Sequence, residues 1–218
     1  MDNLTILIVV FIILLIIIVA ISYKVSSIES DVFTGGNTGN TGNTGNGTRS
    51  DHAKKKLIMA KIMSKLWGQH LIYTRLSVMA LLSDNPELPT LKTRLMRNPD
   101  DFARVLGPIY GADVGLRVQT LLTEHLELAT KAVLAIKNNN EEEKRSVTGA
   151  LYKNAYQLGI TFDNITQNQS QMFVNHMKIH IDTLLANVGA YISKDYSKDV
   201  LTLDAYLNAG LEMAFDMV

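Results

Sequence analysis

From residue 51 to the C-terminus, apolar positions recur three and four apart, and no stretch shows the two-residue alternation of a half-buried strand. Met59, Ile62, Met63, Leu66, Tyr73 and Ser77 follow i, i+3, i+4, i+7 spacing and predict a long first helix ending near Ser83. "DNPELPT" breaks it with two prolines, and "LKTRLMR" predicts a short helix. "NPDDFARVL" restarts the pattern, with Asn98 as N-cap, Pro99 at the first helical position, and Asp100 and Asp101 facing the positive helix end. "GPIYG" closes that piece, and the next helix covers about 112 to 137. "EEEKRSVTGALYKNAYQLGI" opens on three acids, as a helix N-terminus favours, and runs to about Ile160. After a polar loop, two more helices are expected over about 168–192 and 197–217. The pattern predicts an all-α protein over 51–218: an antiparallel bundle of four to five long helices, with enough apolar surface for a core.

The pattern ahead of residue 51 is of another kind. Residues 4–21, "LTILIVVFIILLIIIVAI", contain no charge, and Thr5 is their one polar residue. At helical rise they span roughly 27 Å, close to the hydrocarbon thickness of a bilayer. A cleaved signal peptide would carry a basic residue ahead of a shorter apolar run, so the segment reads as an uncleaved transmembrane anchor over 1–24, with the lipid bilayer as partner of 4–21. Lys24 follows the span and Asp2 precedes it, which places the C-terminal domain on the cytoplasmic side of a single-pass protein. Residues 25–50 include "TGGNTGNTGNTGNG". Glycine prefers no backbone region, and Asn and Thr bring nothing to bury, so a flexible tether is expected, with a reach of roughly 20 Å. Glycosylation sequons start at Asn3, Asn46, Asn164 and Asn168 and matter only on a luminal face.

Charge and composition narrow the chemistry. Lys+Arg and Asp+Glu both number 21, so the electrostatic case for nucleic-acid binding is missing and a protein partner is expected instead. Cysteine is absent, which removes disulfides, thiol nucleophiles and cysteine-based metal sites. No phosphate loop, nucleophile elbow or paired-carboxylate hydrolase pattern occurs, and no catalytic residue is assigned. Arg75, Arg94 and Arg97 with Asp100 and Asp101 are expected to form solvated ion pairs around the Asn98-Pro99 turn, an anion site being the alternative.

The candidate chemistry lies in the histidines. "LWGQHLIYTRLSVMA", "LLTEHLELATKAVLA" and "MFVNHMKIHIDTLLA" align on His70, His125 and His176, each preceded by an amide or acid and followed ten residues on by alanine. Each histidine lies on the stripe that faces the core, beside leucines and, in the first helix, the anchoring Trp67. One reading is a polar core layer of His70, Glu124, His125, Asn154 and His176, with ring nitrogens bonded to neighbours such as Asn154, Thr74 or backbone carbonyls and no cofactor. The alternative is a transition metal such as zinc or iron. His176 and His180 sit at i, i+4 and point from one helical face, and His125, His70 or Glu124 completes the set. Glu124 and His125 project about 100° apart and rarely share one ion, and the Glu-x-x-His pair of di-iron bundles is missing, which favours the polar layer.

"LWGQHLIYTR", "TRLMRNPDDFARVLGPIYG", "LLTEHLELATKAVLAIK" and "EMAFDMV" resemble, in order along residues 62–218, a family of small, soluble, all-helical bacterial proteins. Those carry a Leu-Trp-x-x-His start, an Asn-Pro-x-Asp-Phe turn and a Leu-Leu-x-Glu-His-Leu helix. The resemblance implies the bundle and a role for His70, Glu124 and His125, and it names no activity. The anchor and tether depart from that soluble pattern and resemble membrane proteins of large DNA viruses. That likeness implies a virion membrane component linking the membrane to capsid or internal proteins.

Overall fold

The computed structural model describes residues 46–168 and 170–218, with side chains from Asp51 onward. The expected anchor at 4–21 and the Asn-Thr-Gly repeats up to residue 45 lie outside the described residues. Among those described, no helix is long and apolar enough to cross a membrane.

Every element among the described residues is a helix: α1 (Asn46–Leu82), α2 (Leu88–Leu95), α3 (Asn98–Tyr110), α4 (Ala112–Lys137), α5 (Glu141–Ile165), α6 (Met172–Ile192) and α7 (Tyr196–Asp216). The all-α expectation holds, and Arg49–Val218 forms one compact unit. Turns too short to do anything but reverse the chain join the long helices, so α3–α4, α4–α5, α5–α6 and α6–α7 pack as successive hairpins. The helix α1 inserts Met63, Leu66, Trp67, His70, Leu71, Thr74 and Val78 into the core they enclose.

The turn chemistry explains the element ends. Gly111, at φ 108°, joins α3 to α4 in a backbone conformation that side-chain-bearing residues rarely adopt. Asn140 caps α5 through Oδ1, which accepts from the Glu143 N–H at 3.2 Å, and Asp195 caps α7 by accepting from the Lys198 N–H at 3.1 Å. Two expectations fail at other ends. Asn98 is not an N-cap: it is the first residue of α3, its side chain is buried, and its polar atoms are spent on α1. The helix α5 runs past Ile160 to Ile165, because Asp163 remains helical and turns its buried carboxylate to the start of α6. There it accepts from the Phe173 N–H at 3.0 Å and the Val174 N–H at 3.4 Å. That carboxylate takes the place that an ordinary capping residue would fill.

The α5–α6 crossing is equally specific. A methyl group added at Gly159 would stand 2.5 Å from Val174 Cα and 2.7 Å from its nitrogen, so only glycine allows these backbones to meet. In a helix interior, alanine gains ~1 kcal/mol over glycine, and overpacking against fixed backbone costs about 1–3 kcal/mol. The blocking atoms are backbone, which places the cost in the upper part of that range, so Gly159→Ala is expected to destabilise by roughly 1–2 kcal/mol, a melting-point drop of about 2–8 °C by circular dichroism. An unchanged or raised melting point would show that the crossing tolerates a wider spacing.

The arginine cluster expected around the Asn98-Pro99 turn is divided. Arg75 reaches instead across to α6 and α7, where it donates to Asn187 Oδ1 and pairs with Asp199 at 2.8 Å. Asp101 pairs with Arg104, Asp100 accepts from Gln119, and Arg94 stacks on the Tyr73 ring at 4.5 Å.

Candidate metal centre

Three helices each bring one histidine to the middle of the bundle: His70 from α1, His125 from α4 and His180 from α6. Each is 1 % exposed, and each offers a ring nitrogen that lies within 4.8 Å of the others. The ring centroids stand 6.3 Å apart for His70–His125, 5.6 Å for His70–His180 and 6.2 Å for His125–His180. Aromatic side chains enclose them. Trp67 meets His70 edge-on at 5.6 Å and His180 at 6.4 Å, Phe102 and Phe162 back Trp67, and Tyr206 stacks on His180 at 4.9 Å.

Two of the rings are held in the same way. Asn98 Oδ1 faces His70 Nδ1 at 3.1 Å while Asn98 Nδ2 donates to the Leu66 carbonyl, four residues before the histidine. Asn154 Oδ1 faces His125 Nδ1 at 2.9 Å while Asn154 Nδ2 donates to the Leu121 carbonyl, again four residues before. Because each amide nitrogen serves a carbonyl, each amide oxygen is turned to the ring, and it can only accept. The proton of each neutral imidazole is thereby fixed on Nδ1, and the free lone pair on Nε2. Asn154 Nδ2 also donates to Glu124 Oε2 at 2.9 Å, so Glu124 touches this arrangement from its exposed position without joining the ring cluster.

Burial decides the charge state. Desolvation, with His125 close by, pushes the His70 pKa down to about 3 against a raising hydrogen bond from Asn98. Desolvation likewise pushes His125 down to about 4, opposed by Asn154 and by the Glu124 charge. His180 is driven well below its usual value by burial and then by the two neighbouring histidines. All three rings are neutral at physiological pH, with lone pairs available. His180 Nδ1 is buried with no hydrogen-bond partner, as are Trp67 Nε1, Thr74 Oγ1 and the Tyr206 hydroxyl, so this ring, unlike those of His70 and His125, is not held by an amide oxygen.

No family model, curated protein or solved structure matches the chain. The reading of the site therefore depends on its chemistry alone.

Of the residues singled out in the sequence, the structure brings His70, His125 and Asn154 together, and Glu124 borders them. His176 does not take part. It is half-buried one turn away, with Nδ1 at 3.5 Å from Asp216 Oδ2 and its ring 6.2 Å from Phe173, and His180 holds the place expected for it. The His176–His180 chelate is thus replaced by one nitrogen from each of three helices. Thr74 is buried but makes no hydrogen bond to a histidine. Asn98 is the residue that sequence reasoning missed. A signal was available: Leu-x-x-x-His followed by Asn after 28 residues in one case and 29 in the other.

Proposed function

We propose that this protein is a metal-binding helical module carried on a membrane anchor, in which His70, His125 and His180 hold one transition-metal ion. The observation that carries the reading is the convergence of three neutral, buried imidazoles, two of them oriented through Nδ1. Metal-ligating histidines characteristically donate the other ring N–H to an oxygen acceptor, which fixes tautomer and direction. Bonds of about 2.0–2.1 Å to a metal put ligand nitrogens roughly 3.4 Å apart, so ring movements on the order of 1 Å close the site. The apolar run at 4–21 supports attachment to a bilayer, with the module on the cytoplasmic side, and virion membranes are one setting for such an arrangement. A polar layer with only a structural role, in a module that links a membrane to a protein partner, is the second reading. The completed His–Asn pairs favour it, and the unpartnered His180 Nδ1 counts against it.

Trp67 makes the test direct. It is the one tryptophan of the chain and lies against two of the three ligands, so its emission reports on the site. The full-length chain, purified in detergent and titrated separately with zinc, nickel and cobalt salts and, under anaerobic reducing conditions, with monovalent copper, is expected to bind at least one of these at about one ion per chain with a saturable change in Trp67 fluorescence. Failure of all four ions to bind in the micromolar range would remove the metal reading. Asn98→Ala and Asn154→Ala free the Nδ1 groups they hold and are each expected to weaken affinity about 10- to 100-fold. An affinity unchanged in both would show that the asparagines do not orient ligands.

A further inference from the structure

The ligand set itself selects among metals. It contains three imidazoles, no carboxylate and no thiolate. We infer that the ion this site is built for is monovalent copper, held by the three histidine nitrogens with no fourth ligand. The inference rests on the metal-binding reading above and goes further, to charge and coordination number.

Charge comes first. The cost of moving an ion out of water grows with the square of its charge, and even a unit charge is expensive in a low-dielectric interior. Neutral ligands cancel none of that charge, so a divalent ion would keep its full +2 among rings that are each 1 % exposed. A monovalent ion carries a quarter of that self-energy. Glu124 reaches the cluster only through Asn154, and this single carboxylate balances a single positive charge.

Coordination number points the same way. Zinc takes four ligands, and other divalent first-row ions take four to six, so three histidines would leave each of them to recruit water or an anion. Here the rings are sealed by Trp67 and by Tyr206 stacked on His180. A hydroxide-capped zinc would reach the same net charge only by placing an extra ligand inside this enclosure. Closed-shell monovalent copper is satisfied by two or three ligands. Imidazole is a copper ligand.

The test uses the full-length chain in detergent under anaerobic, reducing conditions. Monovalent copper is supplied against a chromophoric chelator specific for it, and zinc is titrated in parallel. One copper per chain is expected, bound at least about 100-fold more tightly than zinc, with an X-ray absorption spectrum of three nitrogen neighbours. His180→Leu, which keeps the volume of the side chain, is expected to lower copper affinity by about 1000-fold or more. Four outcomes would overturn the proposal: zinc or another divalent ion binding as tightly as copper, a sulfur or fourth light-atom neighbour, copper retained undiminished by His180→Leu, or no copper bound. The first two leave the metal-binding reading standing, the third removes His180 from the ligand set on which that reading rests, and absence of any bound ion removes both.

Discussion

Lowering the pH from about 7 to about 4.5 is expected to remove roughly 5 kcal/mol of stability from the metal-free protein. Its cause is the mismatch between buried and free histidine. In the unfolded chain His70 and His125 take up a proton near pH 6.5, whereas in the folded chain they do so only near about 3 and about 4. Above pH 6.5 neither state is protonated at these rings, so their contribution is constant there. Below it, the unfolded state gains protons that the folded state refuses, and stability falls until the folded values are reached. About two pH units of mismatch for each of two rings give the quoted sum at ~1.4 kcal/mol per unit, and His180 adds in the same direction. Such a loss is a large part of the ~5–15 kcal/mol that holds a typical domain together. Urea unfolding across this range, followed by Trp67 fluorescence and circular dichroism, measures it. The loss begins above the pH at which ordinary carboxylates titrate. A midpoint that stays constant from pH 7 to pH 5 would mean that the histidines are not held neutral.

The helices were legible because each carries its own periodicity and its own breakers. "DNPELPT", Gly111 and Asn140 stop or start the chain through local backbone chemistry, which needs no knowledge of the fold. Errors arose where tertiary contact outranked local preference. Asn98 has the right identity and position for an N-cap, but a buried ring on α1 and the Leu66 carbonyl claim its side chain. Asp163 looks like loop polarity until its carboxylate is seen at the α6 N-terminus. The histidines show the same limit in finer form. His176 and His180 are one turn apart on one face, so periodicity cannot say which lies level with His70 and His125. That level depends on how far α6 slides along α5, which the Asp163 cap and the Gly159–Val174 contact set. Flanking residues favoured His176, whereas the packing register brought in His180.

His180→Leu is expected to raise the stability of the metal-free protein by ~1 kcal/mol, with a melting point about 2–4 °C higher, while costing about 4 kcal/mol or more in metal binding. The two signs follow from one atom. His180 Nδ1 is buried without a partner, and an unsatisfied buried polar group costs about 1–3 kcal/mol. Leucine of similar volume removes that cost and keeps apolar contact with Trp67, while the stacking on Tyr206, worth about 0.5–1.5 kcal/mol, is lost. A group kept at the expense of stability is the mark of a binding function, because sites trade stability for chemistry. A structural layer predicts the reverse, for there each histidine would support the fold and its loss would lower the melting point. Thermal melts of the metal-free wild type and variant, run beside the metal titration, therefore decide between the two readings. A destabilised His180→Leu that still binds metal like the wild type would place His180 in the scaffold and leave any metal to other groups.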